Sequence, residues 1–168
     1  MEIKKWTRPP QGWYKINCDA AVDGKNGRMG VGLILIDHDG GVLATGSFTK
    51  KGWLDPTTVE VMATIRAAQF CKEMDVSNVL IEGDAQKIIQ ALQNGDQNGS
   101  RYGQLVEDAK LILTSLMNWK PNYVRRNVNG AAHILAKMAT RHIVDCVWRD
   151  GILDCICDII QAEQIASA

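Results

Sequence analysis

Three acidic residues stand where an acid needs a reason. Asp19 lies inside an alternating, strand-like stretch, Tyr14 to Val22, where aspartate is disfavoured. Glu60 falls one turn into a helical pattern beginning at Thr57, and Asp84 sits where the apolar run Val79 to Gly83 gives way to another helix. If the first strand lies beside Val79 to Gly83 at the centre of a sheet, Asp19 and Asp84 converge at one end and Glu60 reaches the same point from above. Crowded carboxylates repel and raise one another's pKa, so such a cluster is tenable mainly when cations neutralise it. Hard oxygen ligands suit Mg²⁺ or Mn²⁺, and the implied chemistry is metal-assisted hydrolysis of a phosphodiester.

Each acid also has a purely local account. Asp19 shares its face with Lys15 and Asn17, which reads as a solvated strand face. Glu60 completes Thr57-x-x-Glu60, a capping box for the helix start, and Asp84 is placed as an N-cap for a helix from Ala85. The three local accounts predict no relation among the positions, whereas a shared cation does. A rival metal set, His142 and Cys146 four apart on a predicted helix with Cys155-x-Cys157 after it, resembles a zinc site only superficially. Residues two apart in a helix diverge, and Ile152, Ile156 and Ile159 make a core stripe around those cysteines.

The elements that must position the acids follow from periodicity. Tyr14, Ile16, Cys18 and Ala20 alternate with Lys15, Asn17, Asp19 and Ala21, as in a half-buried strand. Asp23-Gly24-Lys25-Asn26-Gly27 then turns the chain into the apolar run Gly30 to Ile36, and Asp39-Gly40-Gly41 into Val42 to Thr49. Short turns between three strands predict an antiparallel meander. Thr57 to Met74 takes a helical period through Val61, Met62, Ile65, Ala68 and Cys71. After the strand Val79 to Gly83 come helices over Ala85 to Leu92 and Tyr102 to Met117, a strand over Trp119 to Val124, and helices over Gly130 to Val144 and Ile152 to Ile165. That order predicts an α/β domain with a mixed sheet.

A chain of 168 residues suits one domain, with residues 1–13 as a lead-in or linker stub and 14–168 as the folded unit. Lys+Arg and Asp+Glu both number 19, which argues against binding driven by bulk charge. The distribution is uneven, however. Ala109 to Val144 carries six basic residues and no acid, and Asp145 to Ala168 carries five acids against Arg149 alone. No apolar run approaches the ~18–20 residues of a membrane span, and the start MEIKKWTRPP lacks a secretory stretch. Five cysteines, an odd count, with Cys18 and Cys71 in strand-like and helix-like apolar settings, suit reduced thiols. The expectation is an intracellular protein of the nucleus or cytoplasm with no membrane partner.

Four runs then carry a resemblance: Asn17-Cys18-Asp19-Ala20-Ala21, Val59-Glu60-Val61-Met62-Ala63, Glu82-Gly83-Asp84-Ala85-Gln86, and Arg126-x-x-Asn129-x-x-Ala132-His133-x-Leu135-Ala136. In order and spacing they resemble the signature of ribonuclease H, most closely the plant-type domain found alone or at the C-terminus of retroelement polyproteins. Trp6-x-x-Pro9-Pro10-x-Gly12-Trp13 and the tail around Cys146-Val147-Trp148 are similar to that type too, so the match runs from about residue 6 to 165. The resemblance implies a ribonuclease H-like fold: a five-stranded mixed sheet, three antiparallel strands then parallel ones, flanked by helices, with an extra C-terminal helix. It implies an endonuclease that cuts the RNA strand of an RNA–DNA hybrid, leaving a 3′-hydroxyl and a 5′-phosphate. Two divalent cations, Mg²⁺ or Mn²⁺, are implied, with Asp19 bridging both and Glu60 and Asp84 binding one of them.

The fourth motif departs from the bacterial pattern. Where bacterial relatives carry aspartate this chain has His133, frequent in the plant type, so His133 is the expected fourth metal-site residue. A neutral imidazole adds no charge, which predicts weaker binding of the second cation and, because nitrogen suits Mn²⁺ better, more cleavage with Mn²⁺ than with Mg²⁺. By the same resemblance Gln86 is expected at the minor groove of the hybrid, and Arg126 and Asn129 at the nucleic acid, with Arg126 meeting phosphate. Membership of a larger reverse-transcriptase polyprotein and a catalytically weak nucleic-acid-binding module both stay open.

Overall fold

The computed structural model describes residues 6–52, 55–94 and 102–149. Strands β1 (Tyr14–Asp23), β2 (Arg28–Ile36) and β3 (Val42–Lys51) form the expected antiparallel meander. Helix α1 (Pro56–Glu73) leads to β4 (Val79–Gly83), α2 (Gln86–Gln93), α3 (Gly103–Thr114) and β5 (Trp119–Tyr123). A 3₁₀ turn at Arg126–Val128 opens into α4 (Gly130–Ala139), and β6 (Cys146–Trp148) follows. The strand order is β5-β4-β1-β2-β3-β6, with β4 parallel to β1 and to β5.

The sheet therefore has six strands where five were expected. The predicted helix Gly130 to Val144 stops at Ala139, where the Thr140 hydroxyl turns back to the Lys137 carbonyl at 2.7 Å. The chain then crosses to the outer edge of β3. There Asp145 accepts a hydrogen bond from the Thr49 N–H at 2.8 Å and β6 pairs with Thr45 to Ser47, covering backbone groups that would otherwise form an open edge. The predicted helix Ile152 to Ile165 lies outside the described residues.

Two cores sandwich the sheet. On one face Ile16, Cys18, Leu33 and Leu35 pack against Val61, Ala67, Phe70 and Cys71 of α1, with α2 and α3 completing the layer. On the other face Ile34 and Ile36 pack against Leu135 of α4 and against Trp6, so the lead-in is anchored in the core. Both sides of β1 are consequently buried, and the Lys15, Asn17 and Asp19 face read as solvated lies beneath α4. Alternation marks two faces but cannot say whether a distant helix covers the polar one. Close approach of α4 depends on Gly30 and Gly32 of β2, where an added Cβ would stand 2.2 Å from the Ala136 carbonyl oxygen and 2.1 Å from that of Ala132.

Helix α1 starts differently from the capping-box reading. Asp55 is the N-cap and accepts from the Thr58 N–H at 3.0 Å and the Thr58 hydroxyl at 2.7 Å, with Pro56 at the first helical position. Glu60 is thereby released from backbone duty.

Candidate active site

The three acids come from three elements. Along the β1–β4 ladder Asn17 is opposite Glu82, so two residues further on Asp19 is level with Asp84, just past the end of β4. Glu60 approaches from α1, which packs against β1 on the opposite face from α4. One oxygen from each of Asp19, Glu60 and Asp84 lies within 4.8 Å of the others, the only such group of three metal-ligating side chains among the described residues. Asp84 is not an N-cap: α2 begins after Ala85 with no side-chain cap.

Burial and charge act together on this cluster. Asp19 is fully buried and its carboxyl pKa is raised, first by desolvation and then by the charge of Asp84, with the His133 hydrogen bond opposing the shift. Glu60 is pushed up to about 9, again by burial first and then by Asp19 and Asp84. His133 on α4 brings Nδ1 to 2.7 Å from Asp19 Oδ2, whereas Asp19 Oδ1 is buried with no hydrogen-bond partner. An orphaned carboxylate oxygen beside two further carboxylates is a set of hard donors with excess negative charge, which fits a divalent cation of the Mg²⁺ or Mn²⁺ kind. Asp19, Glu60 and Asp84 are the residues that could hold it. His133 stands outside that group of ligand atoms and meets the cluster through the Nδ1 contact with Asp19.

The expected nucleic-acid residues divide. Gln86 is exposed in the first turn of α2, two residues beyond Asp84. Arg126 is exposed and its Nε lies 3.3 Å from Asp84 Oδ2, at the mouth of the cluster. Asn129 does not face solvent. Its amide donates to the Cys18 carbonyl at 3.0 Å and accepts from Asn17 Nδ2 at 3.1 Å, which ties the start of α4 to β1 one residue before Asp19. Asn129 is thus enclosed between β1 and α4, four positions before His133, and not at the exposed face where Gln86 and Arg126 stand.

Sequence reasoning missed the rest of this network. Lys15 Nζ, buried, lies 3.1 Å from Glu82 Oε1 and also donates to the Thr7 carbonyl. Asn17 and Asn122 donate to the two Glu82 oxygens at 3.1 and 2.8 Å. The available signal was a lysine and a glutamate in central strands, where both are depleted. His142 and Cys146 of the rival zinc set do not share a helix: α4 ends before His142, which is exposed, and Cys146 lies on β6. Cys155 and Cys157 lie outside the described residues. A cavity of about 590 Å³ between α1 and β2–β3 is lined mainly by apolar side chains, among them Met29, Phe48, Met62 and Ile65, and lies apart from the carboxylates.

A six-stranded mixed sheet with helices on both faces, carrying three clustered acids at the shared end of β1 and β4, defines a ribonuclease H-like domain. The chain belongs to the reverse transcriptase-like family, whose profile matches residues 17–139. It is 29% identical over 122 residues to ribonuclease HI of Halobacterium salinarum, and that match spans 72% of this chain and 61% of the relative's length. The crystal structure of RNase H1 from the same archaeon superposes with a TM-score of 0.70 at 26% identity, covering 76% of this chain and 96% of that one. LC11-RNase H1, solved in complex with an RNA/DNA hybrid, is similar in fold, with a TM-score of 0.67 at 20% identity over 76% of this chain and 96% of its own.

Proposed function

We propose that this domain is a metal-dependent endoribonuclease that hydrolyses the RNA strand of RNA–DNA hybrids. The observation that carries the reading is the meeting of Asp19, Glu60 and Asp84 with an unpartnered Asp19 oxygen among them; the relatives' names support the substrate class. In this reading Asp19, Glu60 and Asp84 would hold the divalent cations, which when bound would supply an activated water and stabilisation of the leaving oxygen. His133 donates from Nδ1 to Asp19, holding that carboxylate's second oxygen in place and offsetting part of its charge. Arg126 meets a phosphate at the mouth, and Gln86 reaches the shallow minor groove, where 2′-hydroxyls separate RNA from DNA. The family also suits a place within a larger reverse-transcriptase polyprotein.

A second reading rests on His133. With imidazole in place of a carboxylate the cluster holds three carboxylates instead of four, and a domain that binds hybrids yet cuts them poorly would follow. One experiment separates the two. A labelled hybrid is incubated with wild type and with Asp84→Asn, in Mg²⁺ and in Mn²⁺. Internal cuts by wild type, lost in a variant that still binds the hybrid, support the nuclease. Binding without cutting by both proteins supports the second reading.

A further inference from the structure

Beside the carboxylates a cleft of about 280 Å³ runs along the end of the sheet. Its lining includes Ala20 and Ala21 of β1, Pro56 and Glu60 at the start of α1, and Arg126, His133 and Lys137. Drug-sized ligands occupy pockets of ~300–1,000 Å³, so this smaller, solvent-open cleft suits part of a polymer passing through it. The small β1 residues let a ligand approach the backbone, and the cations give the cleft its charge.

Lys137 is the informative residue. It follows His133 by four positions on α4, and residues so spaced share a helix face. It is exposed, and no carboxylate among the described residues pairs with it within 4.0 Å. Arg126 is 71% exposed and lines the same cleft. These two cations come from the basic stretch Ala109 to Val144, which holds six basic residues and no acid. A phosphodiester nearing three carboxylates is repelled unless fixed positive charge lies along its path, and an unpaired lysine and a partly engaged arginine in one cleft provide it.

We propose that Lys137, together with Arg126, forms a phosphate-binding wall that takes the backbone phosphodiester adjoining the scissile one. The inference rests on the nuclease reading above and names a contact residue for its substrate. Lys137 positions the strand by charge, without a role in the chemical step.

The test is hybrid binding by fluorescence anisotropy in Ca²⁺, a hard cation for the same oxygen ligands, between 50 and 200 mM salt, alongside Mn²⁺ titration of the protein alone. A lost phosphate contact lowers the slope of log affinity against log salt by ~0.9. Lys137→Ala should therefore bind more weakly at low salt, with a deficit that shrinks about 3–4-fold across that range. Lys137→Arg should restore the slope, and Mn²⁺ affinity should match wild type in both variants. A Lys137→Ala slope equal to wild type, in a protein that binds hybrid, overturns the phosphate wall and leaves the nuclease standing. A wild type that binds Mn²⁺ but no hybrid overturns both.

Discussion

Replacing Gly32 with alanine tests the link between sheet packing and the site. Gly32 pairs with Asp19 across the β1–β2 ladder, so the perturbation falls at the level of the carboxylates. A Cβ there would stand 2.1 Å from the Ala132 carbonyl oxygen, 2.4 Å from the Ala136 nitrogen and 2.8 Å from the Leu135 Cβ, where ordinary contact begins at 3.4 Å. Two of these neighbours are α4 backbone, so the whole helix must retreat by about 1.3 Å, the difference between 3.4 and 2.1 Å. Overpacking of this kind costs ~1–3 kcal/mol, and with backbone as the obstacle the upper end applies. At ~2–4 °C per kcal/mol for a domain this size, Tm should fall by about 6–12 °C. The retreat also carries His133 away from its 2.7 Å contact with Asp19, so cleavage should drop more than the unfolded fraction explains. Gly83→Ala is the control. It is beside Asp84, but its Cβ would meet the Cys18 oxygen, the Cys18 Sγ and Ile89 at 3.5–3.8 Å, and Tm should move by less than about 4 °C. Thermal unfolding followed by circular dichroism reads both. A Gly32→Ala protein melting with wild type, or a Gly83→Ala protein equally damaged, would refute the account.

Two further outcomes follow from the buried charges. Because Glu60 is pushed up to about 9 from 4.5, folding of the metal-free protein takes up a proton; that contribution is complete below about pH 4.5 and is lost as pH rises through 9. Divalent cation displaces the proton, so the Tm gap between metal-bound and metal-free protein should widen from pH 5 to pH 9, and a gap independent of pH would contradict the raised carboxyl. Lys15→Met leaves the buried Glu82 charge without its cation and should cost ~3–5 kcal/mol; denaturant unfolding measures it, and a loss below about 1 kcal/mol would show that Asn17 and Asn122 suffice.

The carboxylate cluster was legible because its signal is chemical. An aspartate in a strand and another at a strand end are anomalies of residue type, visible without knowing what lies beside them. Element boundaries were legible where local pattern decides, as in the meander and α1. Where two local patterns compete, they misled. Thr57-x-x-Glu60 has the form of a capping box, but Asp55 before Pro56 caps the helix and leaves Glu60 to the cluster. The helical period through Gly130 to Val144 ran past the true helix end at Ala139, and β6 beyond it had no local signal, because an edge strand only three residues long is specified by the β3 edge it covers.

Residue order alone thus carried the fold class and the three acids, since periodicity and chemical type are properties of short segments. Which polar residues are buried, and against what, came only with the packed chain. Asn129 reads as a loop residue free to meet a ligand until α4 seats on Gly30 and Gly32 and encloses it against Cys18 and Asn17. Lys137 reads as an ordinary surface lysine until the same seating places it in the cleft with Arg126. Burial and charge environment arise from contacts between residues more than a hundred positions apart, and no local pattern encodes those distances.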